Sequence, residues 1–156
     1  MRDQRGMTYL ELALVAALLV ILAGLAIPYV HHRMQAVKEL QLRRALAEMR
    51  SAIDRYHDAA QLGEIEPWDL AWNMYPKDLQ MLVDGVAVKT AADQPAQKTK
   101  FLRKIPVDPT TGLAEWSCRG YNDDKDTRND SCDDLYDVFS TSSDLSADGS
   151  TYYRDW

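Results

Sequence analysis

The sequence lacks the residue patterns by which enzyme sites are usually recognised. Its 156 residues include two cysteines and three histidines, and all three histidines fall in the N-terminal half. It has no phosphate-binding glycine loop, no G-x-S-x-G motif and no zinc signature. A catalytic cysteine would need a histidine partner, and the carboxylates stand in a polar segment that gives no reason for a raised pKa. We therefore expect a protein without catalytic activity.

Glutamate is missing from the last part of the chain, where aspartate is abundant. From Asn122 to Trp156 there are ten aspartates and three basic residues, and the whole chain has a formal charge of −6. Such an acidic segment repels phosphate groups, which argues against nucleic acid as a partner. It is typical either of a solvated loop or of a site for a hard cation, and charge alone leaves both open.

The two cysteines, Cys118 and Cys132, both follow the long apolar segment at the N-terminus. Two thiols without a neighbouring histidine are too few for a metal site. If the apolar segment delivers the rest of the chain outside the cytoplasm, a disulfide between them is the natural interpretation. It would close a loop with 13 residues between the cysteines, which is too polar to fold by burying itself.

Charge is also absent from Leu12 to Val30, and the lone carboxylate of Glu11 stands directly before this run. A cleaved secretory signal would have a shorter apolar core and an A-x-A cleavage site, which the stretch AGLAIPYV does not offer. A plain single-pass anchor fits the length, because about 20 apolar residues span a bilayer. It leaves Glu11 unexplained, although a charged group at bilayer depth is costly and usually functional.

The N-terminus, MRDQRGMTYLELALVAALLVILAGLAIPYV, closely resembles the leader and first helix of type IV pilins and type II secretion pseudopilins. That family has a charged leader ending in glycine, an apolar residue, a glutamate four residues later and a proline near the end of an apolar helix. Here these are Gly6, Met7, Glu11 and Pro28. The resemblance implies that a prepilin peptidase removes residues 1–6 and methylates the Met7 amine, and that Glu11 pairs with this amine in a neighbouring subunit. Such a pair relieves the cost of burying either charge alone.

Apolar residues after Pro28 recur at steps of four and three, which is the period of one helical face. We expect a single helix from Met7 to Gln61, with Gly63 marking its end. Residues 7–30 would form a transmembrane and assembly segment, weakened at its end by the proline, and residues 31–63 an amphipathic stem. The repeating positions of the stem are Leu42, Leu46, Met49, Ile53, Tyr56 and Ala60.

Residues 64–156 mix turn signals with short apolar and aromatic runs. A short helix is predicted from Pro76 to Leu82, and a polar loop over residues 89–100. Turn signals in the stretch DPTTG separate two expected strands, and LYDVFSTS alternates as another. We predict an α+β fold of the pilin kind: a long N-terminal helix, transmembrane in its first half, packed on a small antiparallel β-sheet.

The stretches FLRKIPVDPTTG and YDVFSTSSD, with a final aspartate–aromatic pair, resemble the major pseudopilin of type II secretion. Those proteins carry Ca²⁺ in a C-terminal loop, and the resemblance assigns Asp144 and Asp155 as ligands, with Asp148 as a further candidate that has no firm counterpart. Calcium takes six to eight oxygen ligands, and SSDLSADGSTYYRD offers three carboxylates and five hydroxyls. The Gly-Gly spacing of the family's loop is missing, and the cysteine pair is instead similar to the C-terminal disulfide of pilins.

This resemblance implies a structural subunit of a type II secretion pseudopilus, drawn from the bacterial inner membrane into a helical fibre that drives protein export. Its partners would be copies of itself, minor pseudopilins, the inner-membrane assembly platform, the prepilin peptidase and a separate secretion ATPase. The chain would cross the membrane once, with its C-terminal domain in the periplasm. Two alternatives are a type IV pilus subunit and, from a different class, a membrane-tethered periplasmic binding domain whose tryptophans and tyrosines line a sugar cleft.

Overall fold

The fold is α+β, as the sequence predicts. The computed structural model describes residues 8–69, 73–89 and 97–156, with the backbone alone between residues 23 and 33. In these parts of the chain the helices are α1 (Tyr9–Gln61) and α2 (Leu79–Asp84), and a 3₁₀ turn covers Tyr153–Asp155. The strands are β1 (Val86–Ala87), β2 (Lys98–Thr99), β3 (Trp116–Gly120) and β4 (Leu135–Ser140).

Both ends of α1 have the capping chemistry that a helix of this length needs. At the start, the N–H of Glu11 donates to the Thr8 hydroxyl at 3.3 Å, and the carboxylate of Glu11 lies in the first turn, where the helix dipole favours negative charge. At the end, Gly63 has a φ of 72°, which glycine adopts without strain. The helix therefore stops at Gln61, as the sequence predicts.

The chain divides into two compact units, Met1–Val37 and Lys38–Trp156. In the first unit, the apolar side chains described between Tyr9 and Leu22 are exposed. Among the described residues, no helix has the length and apolar character needed to cross a membrane. The predicted processing residues Gly6 and Met7 lie outside the described residues, as does the side chain of Pro28.

The core of the second unit is built on the predicted stripe of the stem. All six stripe residues are buried, and they pack with side chains from α2, β3, β4 and the 3₁₀ turn. Each large apolar side chain removed from water in this way stabilises the fold by about 1.5–3 kcal/mol. The stripe residues are Leu42, Leu46, Met49, Ile53, Tyr56 and Ala60, and their partners include Leu82, Trp116, Leu135, Val138 and Tyr153.

The strands form two small antiparallel sheets, whereas the sequence led us to expect one. β1 pairs with β2, and β3 pairs with β4, with an irregular register between Arg119 and Gly120. Two local predictions are wrong. β2 lies inside the predicted polar loop, and the stretch before Asp108 is not a strand. There the N–H groups of Phe101 and Leu102 both donate to the carbonyl of Leu82, so the backbone bonds to the end of α2 and not to a sheet.

The predicted short helix begins later than its proline suggests. Asp78 is the N-cap of α2: its carboxylate accepts the N–H of Met81 at 2.8 Å, so the helix starts at Leu79. At the other end, Gly85 has a φ of 85° and closes α2 as the sequence predicts.

Candidate functional site

The first turns of α1 present a lone carboxylate among apolar side chains. Glu11 is exposed, and Tyr9, Leu10 and Leu12 beside it are 89%, 79% and 57% exposed. A charged side chain is unusual here, because the apolar side chains around it are poorly solvated by water. The structure does not describe Met7, the predicted partner of Glu11, so the pairing stays a prediction.

The C-terminal segment, residues 142–155, is closed by its own hydrogen bonds. Oδ1 of Asp148 accepts the Ser146 hydroxyl at 2.5 Å and both the N–H and the hydroxyl of Ser150 at 3.0 and 2.8 Å. These donors, the Ser146 hydroxyl first, lower the pKa of the exposed Asp148 carboxyl to about 2. A backbone bridge between Leu145 and Tyr152 completes the turn.

The three predicted calcium ligands take different roles in this segment. Asp144 takes part through its backbone, because its N–H donates to the Ser142 hydroxyl at 3.2 Å and its carbonyl accepts the N–H of Tyr153 at 3.0 Å. Asp155 ends the 3₁₀ turn, and Asp148 binds serines. Nowhere in the described ranges do three aspartate, glutamate, histidine or cysteine side chains come together in a group that could hold a metal ion. The calcium site therefore stays a prediction.

A glutamate on α1 holds the C-terminal segment in place. Oε1 of Glu39 accepts the N–H of Ala147 at 2.5 Å and the hydroxyl of Tyr153 at 3.1 Å. The sequence did not predict this contact. The available signal was position, because Glu39 lies three residues before Leu42 and so continues the buried stripe of the stem.

A second α1 side chain, Arg50, joins the helix to β4 and to the end of the chain. Its Nε donates to Oδ1 of Asp137 at 2.7 Å, and its Nη2 donates to the main-chain oxygens of Val138 and Trp156 at 3.0 and 2.7 Å. Arg119 on β3 binds the other oxygen of Asp137 at 3.0 Å. Asp137 alternates along β4 in step with the buried Leu135 and Phe139, so its side chain lies on the same face of the strand. A carboxylate on that face needs a partner, which is the signal in the sequence for a partly buried ion pair.

Beside this ion pair is an open recess of about 410 Å³, here called the arginine recess. The Arg43 guanidinium lies over the ring of Trp156, 4.4 Å from its centroid. That ring is itself held, because its N–H donates to the Thr151 hydroxyl at 3.0 Å and its edge packs on Tyr153. The recess is lined by Arg43, Leu46, Ala47, Arg50 and Trp156.

Cys118 and Cys132 form the predicted disulfide, with their Cα atoms 6.1 Å apart. Most of the segment 121–134, here called the aspartate loop, lies between these two cysteines. The Asp123 carboxylate accepts the N–H of Gly120 at 2.8 Å, and the Asp134 carboxylate accepts the N–H of Tyr121 at 3.2 Å. Desolvation by burial raises the pKa of Asp134. A Cβ at Gly120 would collide with this carboxylate, so a larger residue there would force the Asp134 side chain to move.

A buried carboxylate also lies under the predicted DPTTG turn. Asp108 is fully buried, and its oxygens accept the N–H and hydroxyl of Thr110 at 2.7 and 2.5 Å and the hydroxyl of Ser140 at 2.6 Å. Gly112, with a φ of 79°, donates its N–H back to the Asp108 carbonyl. The turn was predicted and its contact with β4 was not. We assign it a structural role, because every polar atom of the carboxylate meets a donor within the fold.

An aromatic cleft of about 370 Å³ lies at the other end of the stem. The His57 ring stacks on Tyr75 with centroids 4.2 Å apart, and Tyr75 stacks on the half-exposed Tyr121 at 5.4 Å. Asn73 and Met74 on its rim have φ values of 53° and 63°, in the left-handed backbone region that residues other than glycine rarely adopt. Burial raises the pKa of Tyr75, and the nearby tyrosines and two aspartates of α1 raise it further.

No family model matches this chain, and no curated protein or solved structure matches it significantly.

Proposed function

We propose that this protein is a structural subunit of a type II secretion pseudopilus, anchored in the bacterial inner membrane and assembled into a helical fibre that drives protein export. The observation that supports this most is the exposed apolar surface of α1 from Tyr9 to Leu22 with Glu11 in its first turn. A surface of this kind needs a cover, because exposed apolar area of this extent is unfavourable in water. Lipid before assembly and neighbouring subunits after it would supply that cover.

In this proposal Glu11 determines the position of each subunit in the fibre. Cleavage after Gly6 would create an amine at Met7, four residues before the carboxylate. A carboxylate and an amine from two copies can pair where neither could be buried alone. The prepilin peptidase would make the amine, the assembly platform would receive the subunit, minor pseudopilins would join the fibre, and a separate ATPase would supply the energy.

Mass spectrometry of the purified protein tests the processing step. In a host with a prepilin peptidase, the mature chain should begin at Met7 and carry one added methyl group. The matched variant Gly6→Leu should accumulate as the full-length precursor, because the peptidase needs a residue without a side chain at this position. A chain that retains Met1 in such a host would contradict the proposal.

We also propose that the C-terminal segment binds calcium through Asp144 and Asp155, with Asp148 as a further candidate. Support comes from the chemistry of the donors, because the segment carries carboxylates, hydroxyls and carbonyls, the oxygen ligands that calcium takes. Binding would stabilise the folded chain by mass action. Calorimetry of the full chain in detergent should show calcium binding, and Asp144→Ala should abolish it while Asp126→Ala in the aspartate loop leaves it unchanged. Absence of binding to the wild type would overturn this part.

Two other functions each have one observation in their favour. The disulfide between Cys118 and Cys132 is similar to that of type IV pilins, and so favours a pilus subunit. The aromatic cleft at Tyr75 and Tyr121 favours a membrane-tethered periplasmic binding domain, because aromatic rings in a recess are a common platform for ligands. Polymerisation of the processed chain separates both filament proteins from the binding domain. A requirement for a secretin to release substrate would then separate secretion from a pilus.

A further inference from the structure

The arginine recess is organised before any partner binds. Arg43 is exposed on α1, yet its guanidinium is held against Trp156 at 4.4 Å, and Trp156 is fixed by Thr151 and Tyr153. An arginine restrained in this way loses less freedom when it binds, and its planar donor edge suits a carboxylate in two-point contact. Because the floor of the recess is apolar, such a bond would be partly shielded from water.

The surroundings of the recess carry surplus positive charge on a protein of formal charge −6. Arg50 lines the recess beside Arg43, and Arg119 lies next to Arg50, with the guanidinium carbons of Arg50 and Arg119 5.6 and 5.3 Å from the centroid of the Phe139 ring. In the described parts of the chain, Asp137 is the one side-chain carboxylate within 4 Å of Arg43, Arg50 or Arg119, and Arg50 also binds the main-chain oxygen of Trp156. Three arginines are therefore matched by a single carboxylate side chain at this position.

The aspartate loop is the complementary surface of the same protein. It holds six aspartates in 14 residues, and five of them are exposed: Asp123, Asp124, Asp126, Asp130 and Asp133. The disulfide and the hydrogen bonds of Asp123 and Asp134 hold its backbone, so little ordering remains to oppose binding. As far as the structure describes the chain, none of these carboxylates lies within 4 Å of an arginine of its own molecule.

We propose that the arginine recess of one subunit binds the aspartate loop of a second copy, with Arg43 as the central contact. This inference rests on the proposed function as a fibre subunit and names a surface through which copies join. The proposed contact is heterologous: each copy offers its recess to one neighbour and its loop to another. Repeated contacts of this type produce an open fibre and not a closed dimer.

Charge reversal tests the contact in the processed full-length protein, with sedimented filament yield as the readout. Arg43→Glu should lower the yield about tenfold or more, since juxtaposed like charges strongly oppose association. The matched control is Arg44→Glu, which makes the same charge change at the next exposed residue of α1, outside the recess. Its yield should stay within about twofold of the wild type, as for a rim charge without a partner.

The double variant Asp124→Arg/Asp126→Arg should fail in the same way as Arg43→Glu, and the triple variant that combines all three changes should recover most of the yield. Asp124 and Asp126 are chosen because they are exposed and the turn itself is held by Asp123 and Asp134. Urea midpoints by tryptophan fluorescence confirm that each variant is folded, and Arg43→Gln replaces Arg43→Glu should the latter unfold.

Each outcome decides between the proposals. Wild-type yield from Arg43→Glu, an equal loss from Arg44→Glu, or a triple variant no better than the single one would overturn the recess–loop contact and leave the fibre proposal standing. A wild-type chain that is processed but never polymerises would contradict both. Loss with Arg43→Glu and recovery in the triple variant would establish the contact.

Discussion

Two stretches of α1 differ in the burial of their apolar side chains. From Tyr9 to Leu22 the apolar side chains are exposed, with Leu18 at 53% and Leu22 at 62%. From Leu42 to Ala60 the stripe residues are at most 5% exposed, because α2, the second sheet and the C-terminal turn cover them. The same kind of side chain thus stabilises the fold in one stretch and leaves a surface for other molecules in the other.

The glutamates of the two stretches differ in the same way. Glu39 accepts two hydrogen bonds from the C-terminal segment of its own molecule. Glu11 is exposed in the first turn of α1, where its predicted partner belongs to another subunit. We therefore expect substitutions in the stem to affect folding and substitutions in the first stretch to affect assembly.

The largest effect on folding should come from truncating the buried stripe. Ile53→Ala leaves a cavity in a core with no exposed surface at this position and should destabilise the full chain by about 2–5 kcal/mol. Leu18→Ala, the matched change in the first stretch, should alter stability by less than about 0.5 kcal/mol. Urea unfolding in detergent reports this directly, because all four tryptophans lie after residue 63. Equal losses of stability in both variants would show that the first stretch contributes to folding as much as the buried stripe does.

Breaking the disulfide should rank second. Replacing Cys118 and Cys132 together by serine frees the aspartate loop and should lower the free energy of unfolding by about 3 kcal/mol, the value that chain entropy gives for a loop of this length. Thiol titration of the wild type under denaturing, non-reducing conditions should find no free thiol. An unchanged urea midpoint in the double variant would mean that the hydrogen bonds of Asp123 and Asp134 already hold the loop.

The sequence alone predicted the features that follow from a repeating pattern or from a residue with one main structural role. The steps of the stem stripe predicted the buried face of α1, Gly63 predicted its end, and the cysteine pair predicted the disulfide. Each of these follows from local geometry or from a pairing with a single solution.

Contacts between residues that are far apart in the sequence could not be predicted from local patterns. Arg50 and Asp137 are 87 positions apart, and Glu39 and Tyr153 are 114 apart. The positions of Glu39 on the stem stripe and of Asp137 along β4 indicate partial burial, but their partners are not defined until the strands are placed on α1. The missing strand before Asp108 has a similar cause, because its N–H groups bond to the end of α2. Tertiary contacts overrode the local signal in each case.

A comparison of the two glutamates should show a smaller but selective effect. Glu39→Leu removes the acceptor for Ala147 and Tyr153 and should destabilise the chain by about 1–3 kcal/mol. Glu48→Leu, on the exposed side of the stem, is its control and should have little effect. Glu11→Leu should leave the urea midpoint unchanged and sharply reduce filament yield, because the carboxylate for the neighbouring amine is gone. Filaments of Glu11→Leu at wild-type yield would remove the argument for a register contact at this position.

The smallest effect is expected from acid, which should lower the stability of the C-terminal segment, residues 142–155. Hydrogen bonds from Ser146 and Ser150 lower the pKa of Asp148 from 3.8 to about 2, so the folded chain holds this carboxylate ionised more firmly than the unfolded chain does. The resulting stabilisation is present above the unfolded pKa and is lost as the pH falls through about 2. Between pH 4 and pH 2 the urea midpoint of the wild type should therefore fall more steeply than that of Asp148→Asn. Ser146→Ala, which removes the largest cause of the shift, should behave like Asp148→Asn, whereas Asp126→Asn in the aspartate loop should follow the wild type. Parallel pH profiles for wild type and Asp148→Asn would show that these serine contacts do not hold the segment.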